Sequence, residues 1–475
     1  MIATPRAESS TAFLDTIQKA IDRARQSSGG SIVCSVTAIE PIDLALNFAA
    51  ARDLRFDCGY WERPDQRHAI LGVGSAVAIE ADSDARFDSI DRQWRNIRES
   101  LVIERDAHSP ASVGPILLGG FAFTNRAPQT EIWEHFPSAR FVLPRTTIVR
   151  HGDQFWRIRC DRVTDRDNAS AVAAAFDRDD RRIKDSVERR GQIQADMSDP
   201  VDVREVSAWE RLVTRGTDAI EDGLFEKVVI ARSVRVQSDR IDLGKAIEFL
   251  SENYQGCTIF AIGRAESCFL GATPERLVQL SDKNVAVSCI AGTAARGGTE
   301  AEDVQLGAEL LASDKNRREH SYVVETIMSS LAGHCDDLRV PEAPELLRVR
   351  NLQHLYTPLT ATIRPDRSLF DLVADLHPTP AVGGTPREPA LAFIDRYENL
   401  DRGWYAAPVG WVDEAGNGEF VVALRSAIIN QNDNAAVAHL YAGCGVVAGS
   451  EPEAELRESR LKLRPMLSAL SGRNA

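Results

Sequence analysis

Five sites along the chain carry chemistry by type and spacing. Near the C-terminus, Glu451, Glu455, Glu458 and Lys462 fall at offsets of 0, 4, 7 and 11, one stripe of an α-helix, while Leu456, Leu463, Leu467 and Leu470 form a separate apolar stripe. Such a stripe is either a solvated acidic face or a set of oxygen ligands backed by a cation. A second helical stretch, 313–332, offers Glu319 beside His320. Carboxylates from two helices facing one cleft suit magnesium, which prefers oxygen ligands and keeps several waters. Lys227 shares a strand face with Val229 and Ala231. It is either a strand-end surface lysine or, if buried among apolar neighbours, an amine whose charged form is disfavoured and which can act as a base. Arg425 falls in the run 418–429 on one face with Val421, Ala423 and Ala427. A guanidinium among small residues demands an anion, either a structural acid or a ligand carboxylate. Glu275 closes Gly271-Ala272-Thr273-Pro274-Glu275, just after a strand. It is a surface turn residue or, in a partly apolar turn, an acid with a raised pKa.

One motif is a decoy. Gly443-Cys444-Gly445-Val446-Val447-Ala448 matches a dinucleotide fingerprint, and its glycines follow a strand. The next helix opens only at Ser450, and the chain then ends without a second strand or a ribose-binding acid. Close approach of backbone to an anionic ligand is the better use of those glycines.

The elements that must position these residues fall into three stretches: 1 to about 160, 161 to about 200, and 201–475. Strand runs are expected at 68–80, 115–124 and 140–150. The stretch 161–200 is dense in Asp and Arg and reads as a surface helix and connector. Beyond it, 225–236 and 284–290 read as strands. Hairpins are expected for 258–263 with 267–272, and for 418–429 with 437–442 across a polar turn around 432–434. The helix 313–332 presents Val323, Val324, Ile327, Met328 and Leu331 as its apolar face. A capping box at Ser450-Glu451-Pro452-Glu453 opens the last helix. Strands that cluster rather than alternate with helices give an α+β class with antiparallel sheets.

Composition bounds the function. The chain has 475 residues, 43% hydrophobic and 27% charged, which is enough for a large core. A net charge of −14 argues against nucleic acid or an anionic membrane as partner. The eight cysteines form no C-x-x-C pair and read as buried thiols. The first residues lack the pattern of a signal peptide, and no apolar run reaches membrane-spanning length. A cytoplasmic location is expected.

In order along the chain, these segments resemble the chorismate-binding family of anthranilate, aminodeoxychorismate, isochorismate and salicylate synthases. The resemblance covers about 205–470. It runs through Phe225-Glu226-Lys227-Val228-Val229, the turn ending at Glu275, Ile290-Ala291-Gly292-Thr293, Arg318-Glu319-His320 and Gln353-His354-Leu355. It continues with His377-Pro378-Thr379-Pro380-Ala381, Gly416-Asn417-Gly418-Glu419-Phe420, Arg425, Ala442-Gly443-Cys444-Gly445, and Glu455-Leu456-Arg457-Glu458 through Lys462. The first 200 residues match more loosely, at 119–123 and 136–140. The resemblance implies an anthranilate synthase component I-like, chorismate-utilising fold: two packed antiparallel sheets surrounded by helices. Residues 1–200 would complete the fold and 201–475 would carry the catalytic region.

Within that family, lysine at 227 looks like the water-using branch. The ammonia-using branch generally has glutamine there and relies on a glutamine amidotransferase subunit, so no such partner is expected. Ala291 stands where aminodeoxychorismate synthases place a nucleophilic lysine, and His377-Pro378-Thr379-Pro380 looks like isochorismate synthases. Cys444 departs from the alanine usual at its position. The resemblance therefore implies a Mg²⁺-dependent isochorismate synthase, with a monomer as the default state and menaquinone, siderophore or salicylate synthesis open as the fate of its product. Water would add at carbon 2 of chorismate as the carbon 4 hydroxyl leaves. Salicylate synthase, which further eliminates pyruvate, is the alternative. Lys227 would be the base and Glu275 the acid. Glu319 and Glu458 would hold the metal, with Glu455 supporting it through water. Arg425 and backbone N–H groups near Gly443 would hold the enolpyruvyl carboxylate, with Lys462 adding positive charge. Gly292, Thr293 and His354 would line the pocket.

Overall fold

The computed structural model describes residues 8–472 apart from 27–29, 111, 127, 129, 192–196, 351 and 433–434. Two large sheets dominate it. The first runs, in spatial order, through Val201–Asp202, Lys227–Ser238, Ala436–Val446, Ser426–Gln431, Ser267–Thr273, Thr258–Arg264, Cys58–Arg63, His68–Val73, Thr146–His151, Gln154–Val163, Ser31–Ile39 and Leu101–Arg105. The short strand Gly384–Thr385 adds to Lys227–Ser238. The second runs through Cys335–Arg339, Leu352–Ile363, Asn284–Ala295, Arg276–Ser281, Gly418–Val422, Pro408–Asp413, Ile116–Phe121, Ala139–Leu143 and Val77–Glu80. Among the described strands, the one parallel pair is Ser31–Ile39 with Leu101–Arg105; the rest is antiparallel.

The largest core lies between the sheets. Trp61, Ile70, Phe260 and Phe269 of the first meet Leu117, Phe121, Phe141 and Phe420 of the second. A second core covers the outer face of the first sheet, under helices Leu44–Asp53, Leu243–Asn253 and Pro452–Ser471. This is the α+β class and the packed antiparallel architecture expected above. All eight cysteines are buried and free. No described helix is long and apolar enough to cross a membrane.

Three expected strands are each two strands in different sheets. The run 68–80 breaks at Gly74, whose φ is 69°, and 140–150 breaks after Leu143 at Pro144. The run 418–429 breaks after Val422, and Arg425 takes φ 49°. Arg425 therefore sits in a link, not on a strand face with Ala427. At each break the chain leaves one sheet and joins the other, and each half keeps buried apolar residues, Ile79 alone in Val77–Glu80. The hairpin of 258–263 with 267–272 forms, as Thr258–Arg264 with Ser267–Thr273. Ser426–Gln431 pairs with Ala436–Val446, while part of their expected turn, 433–434, lies outside the described residues.

Helical expectations need smaller corrections. The helix Asp314–Leu331 buries Val323, Ile327 and Leu331, but Met328 is 38% exposed, so its core face is narrower than expected. Glu451 rather than Ser450 caps the last helix, and no side chain makes the cap bond. The Ser450 hydroxyl instead accepts from the Val447 N–H. The Asp/Arg-rich stretch holds the helix Ala169–Arg189, which buries Phe176 and offers Asp179 and Asp180 to Arg145, Arg157 and Arg159. Gly443 to Val446 lie within a strand paired along its length, which rules out a phosphate-binding loop.

Candidate active site

Two inter-sheet links meet at one corner of the sandwich, and each carries a functional side chain. Glu275 lies between Ser267–Thr273 and Arg276–Ser281, and Arg425 between Gly418–Val422 and Ser426–Gln431. The links brace each other. Val422 N–H donates to Glu275 O (3.0 Å), Ala272 N–H to Arg425 O (3.1 Å), and the Thr273 hydroxyl to Val422 O (2.7 Å). Between the links, the strand Lys227–Ser238 and the helices above it lies a cleft of about 980 Å³, counting its open mouth. All eleven residues singled out from the sequence line it, Lys227 and Glu275 among them.

Lys227 differs from expectation in its surroundings. Its side chain is 1% exposed, but its Nζ lies 2.7 Å from Glu319 Oε1 instead of among apolar groups alone. The pair passes over Gly445, where a Cβ would come within 2.7 Å of Glu319 Oε1 and 3.0 Å of Lys227 Cε. A side chain there would have to push this ion pair aside. Burial would raise the Glu319 pKa, yet Lys227, helped by Lys462 and Lys315, holds it below the ordinary carboxylate range.

The last helix supplies the other carboxylates. Lys462 Nζ donates to Gly443 O (2.8 Å) and pairs with Glu458 Oε1 at 2.6 Å. Burial disfavours its charge, but Glu458 holds its pKa above the ordinary lysine range. Glu455 is pushed up to about 7, first by burial and then by the charge of Glu458. Glu275 is likewise pushed up to about 7 by burial, against the pull of Lys227, Arg425 and Lys462. A carboxyl with that pKa is substantially protonated at neutral pH and can donate.

Open polar groups mark where an anion would sit. Arg425 keeps a buried Nη1 with no protein partner. The backbone adds donors. Val229 N–H bonds to Gly383 O and Ala231 N–H to the Glu398 carboxylate, so both face away from their cross-strand partners Gly445 and Gly443. These are non-hydrogen-bonded pairs, so the N–H groups of Gly443 and Gly445 also point outward. The neighbouring strand Ser426–Gln431 pairs only as far as Leu440, which leaves that side open. His354 is held neutral, its pKa lowered to about 3 by burial and by Arg425 and Lys462. Its Nδ1 lies 3.1 Å from Thr293 Oγ1 and 3.3 Å from Gly292 O. A carbonyl can only accept, which assigns the proton to Nδ1 and leaves the buried, unpartnered Nε2 as an acceptor. Gly292 forms the bulge that presents this carbonyl, at φ 76° where the register shifts between Ala291 and Thr293.

The sequence reading missed Arg402, which lines the cleft, its partner Glu398, and two further lining residues. Arg402 and Glu398 form an ion pair only 3% and 2% exposed. Arg402 donates to Val229 O (2.8 Å) and Val382 O (3.0 Å), and Glu398 accepts from Ala231 N–H (2.8 Å). This pair takes the place of a neighbouring strand where Gly384–Thr385 ends, and so fixes the strand that starts at Lys227. In sequence it looks like any i,i+4 surface pair. Lys315 and Asn316 also line the cleft. They lie one helical turn before Glu319, which is the one signal that pointed to them.

The acidic groups fit a hard divalent cation. Glu319, Glu455 and Glu458 bring carboxylates to one cleft, and a cation there would favour the ionised form of Glu455, which burial first and Glu458 second disfavour. Cys444 Sγ lies within 4.8 Å of ligand atoms of Glu455 and Glu458. Burial keeps this thiol protonated, and it donates to Glu455 O at 3.1 Å, so it is a neighbour rather than a ligand.

A buried amine, a proton-donating carboxyl and an unsatisfied guanidinium around one polar cleft define an acid–base enzyme for a small anion. The chain belongs to the chorismate-binding enzyme family, whose model matches residues 17–471. It is 37% identical over 466 residues to the salicylate biosynthesis isochorismate synthase of Pseudomonas aeruginosa, covering 97% of this chain and 94% of that one. It is 32% identical over 473 residues to the isochorismate synthase MenF of Bacillus subtilis, covering 97% and 98%. The fold matches the menaquinone-specific isochorismate synthase MenF of Escherichia coli with a TM-score of 0.75 at 24% identity, over 96% of this chain and 100% of that one.

Proposed function

We propose that the protein is a Mg²⁺-dependent isochorismate synthase that isomerises chorismate without an amidotransferase partner. The observation that carries this reading is the presence of the Lys227 amine and the proton-bearing Glu275 carboxyl in one cleft beside an open guanidinium. Glu319 and Glu458 would hold the ion, with Glu455 bound through water, and the ion would supply positive charge against the ring carboxylate. Arg425 and the outward N–H groups of Gly443 and Gly445 grip the enolpyruvyl carboxylate, with Lys462 adding charge. His354 Nε2 accepts from a substrate hydroxyl, and Thr293 and Gly292 set its tautomer. Lys227, once its bond to Glu319 has opened and its ammonium has given a proton to solvent, takes a proton from the water that attacks carbon 2. Glu275 gives its proton to the hydroxyl leaving carbon 4. One water is consumed and one released, and exchange with solvent resets both groups.

Incubation with chorismate and Mg²⁺, followed by chromatography, tests the reading: isochorismate is the expected product, and its absence ends the proposal. Salicylate with pyruvate, detected through coupled lactate dehydrogenase, would indicate the salicylate synthase alternative. The product would feed a menaquinone, siderophore or salicylate route. Chelation by EDTA is expected to stop turnover and excess Mg²⁺ to restore it. Full activity in metal-free buffer would remove the role given to Glu319 and Glu458.

A further inference from the structure

The cations of the cleft differ in how they are held. Lys227 is bound by Glu319, Lys462 by Glu458 and the Gly443 carbonyl, and Arg402 by Glu398 and two backbone carbonyls. Lys315 is different. It lines the same cleft from the exposed first turn of the helix Asp314–Leu331, yet its side chain makes no hydrogen bond or ion pair among the described residues. It lies four residues before Glu319, on the same helical face, and its charge is felt by both Glu319 and Glu455. Packing gives it no structural task. Its position is also electrostatically poor for the helix, because a cation in the first turn opposes the macrodipole.

What the lysine gains lies outside the protein. The chain carries a net charge of −14, so its overall field repels an approaching dianion. A local cation at the mouth offsets that field where it matters. Farther in, Arg425 still has an open Nη1. The two unsatisfied cations thus mark an entrance and an interior for a substrate with two carboxylates.

We propose that Lys315 is a substrate-capturing residue, donating from the mouth of the cleft to a carboxylate of the dianionic substrate and raising its rate of entry. This rests on the isochorismate synthase reading and adds a residue to it.

The test compares wild type, Lys315→Gln and Lys315→Arg, with chorismate and saturating Mg²⁺, across a range of ionic strength. Lys315→Gln is expected to raise KM about ten-fold while kcat stays within about two-fold, and to flatten the fall of kcat/KM with added salt. Lys315→Arg should keep both the KM and the salt slope. Calorimetric titration with chorismate in EDTA, where turnover is stopped, gives a second readout, in which Lys315→Gln binds about ten-fold more weakly. An unchanged KM and salt slope in Lys315→Gln, or a collapse of kcat with KM unmoved, overturns the inference while wild-type isochorismate formation leaves the function standing. A wild type that neither binds nor converts chorismate overturns both.

Discussion

Lys227→Ala is expected to lose turnover by a factor on the order of 10²–10⁴, the usual contribution of a positioned proton-transfer group, while the purified protein keeps its fold. The argument for an intact fold is backbone pairing. The strand Lys227–Ser238 is hydrogen-bonded to Ala436–Val446 along its length, Gly384–Thr385 lies on its other side, and the Arg402–Glu398 pair holds Val229 and Ala231. None of these bonds uses the lysine side chain. The substitution does leave Glu319 without its 2.7 Å partner, so a melting curve belongs beside the assay. Lys227→Gln separates the two effects. It keeps a hydrogen-bond donor for Glu319 but supplies no base, and it carries the residue type of the ammonia-using branch. If Lys227 acts only as a hydrogen-bond donor that positions Glu319, the glutamine variant retains much of the activity. If it moves a proton, both variants fail alike with water, and near-normal isochorismate formation by either ends its role as base.

Much of this site was legible because it is written in short motifs whose residue types are chemically costly to keep for any other reason. All eleven chosen residues line one cleft. The links that bring them together were not legible. A period-two pattern reports which face of a strand is buried, not which sheet bonds it, so 68–80, 140–150 and 418–429 each read as one strand across a change of sheet. Glycine or proline marks the first two breaks. Arg425 marks the third with a left-handed conformation that arginine does not advertise. That break is the one that matters, since it swings the guanidinium off the strand face and into the cleft. The Arg402–Glu398 pair was missed for the opposite reason: its spacing is common on exposed helices, and only three-dimensional burial turns it into a strap for the strand of Lys227.

Glu275→Gln should be as damaging as the loss of the base, and for a reason that pH can expose. Glutamine matches glutamate in size, can still engage Val422 through its own backbone carbonyl, and leaves the bracing of the two links unaltered. It cannot give up a proton to a departing hydroxyl. Turnover is expected to fall by a factor on the order of 10²–10⁴, measured as isochorismate formed per enzyme after chromatography. In the wild type the carboxyl is pushed up to about 7 by burial, and the active form is the protonated one. Its fraction is full well below pH 7 and falls as pH rises through that value, by about ten-fold per pH unit on the alkaline side. A bound dianion disfavours the carboxylate further, so the alkaline limb of kcat should lie higher in pH than that of kcat/KM. Wild-type activity that stays flat to high pH, together with an active Glu275→Gln enzyme, would take the acid role away from this residue. The alkaline limb has a second possible owner in Glu455, also raised to about 7. Glu455→Gln separates them: if Glu275 is the acid, the limb persists in that variant.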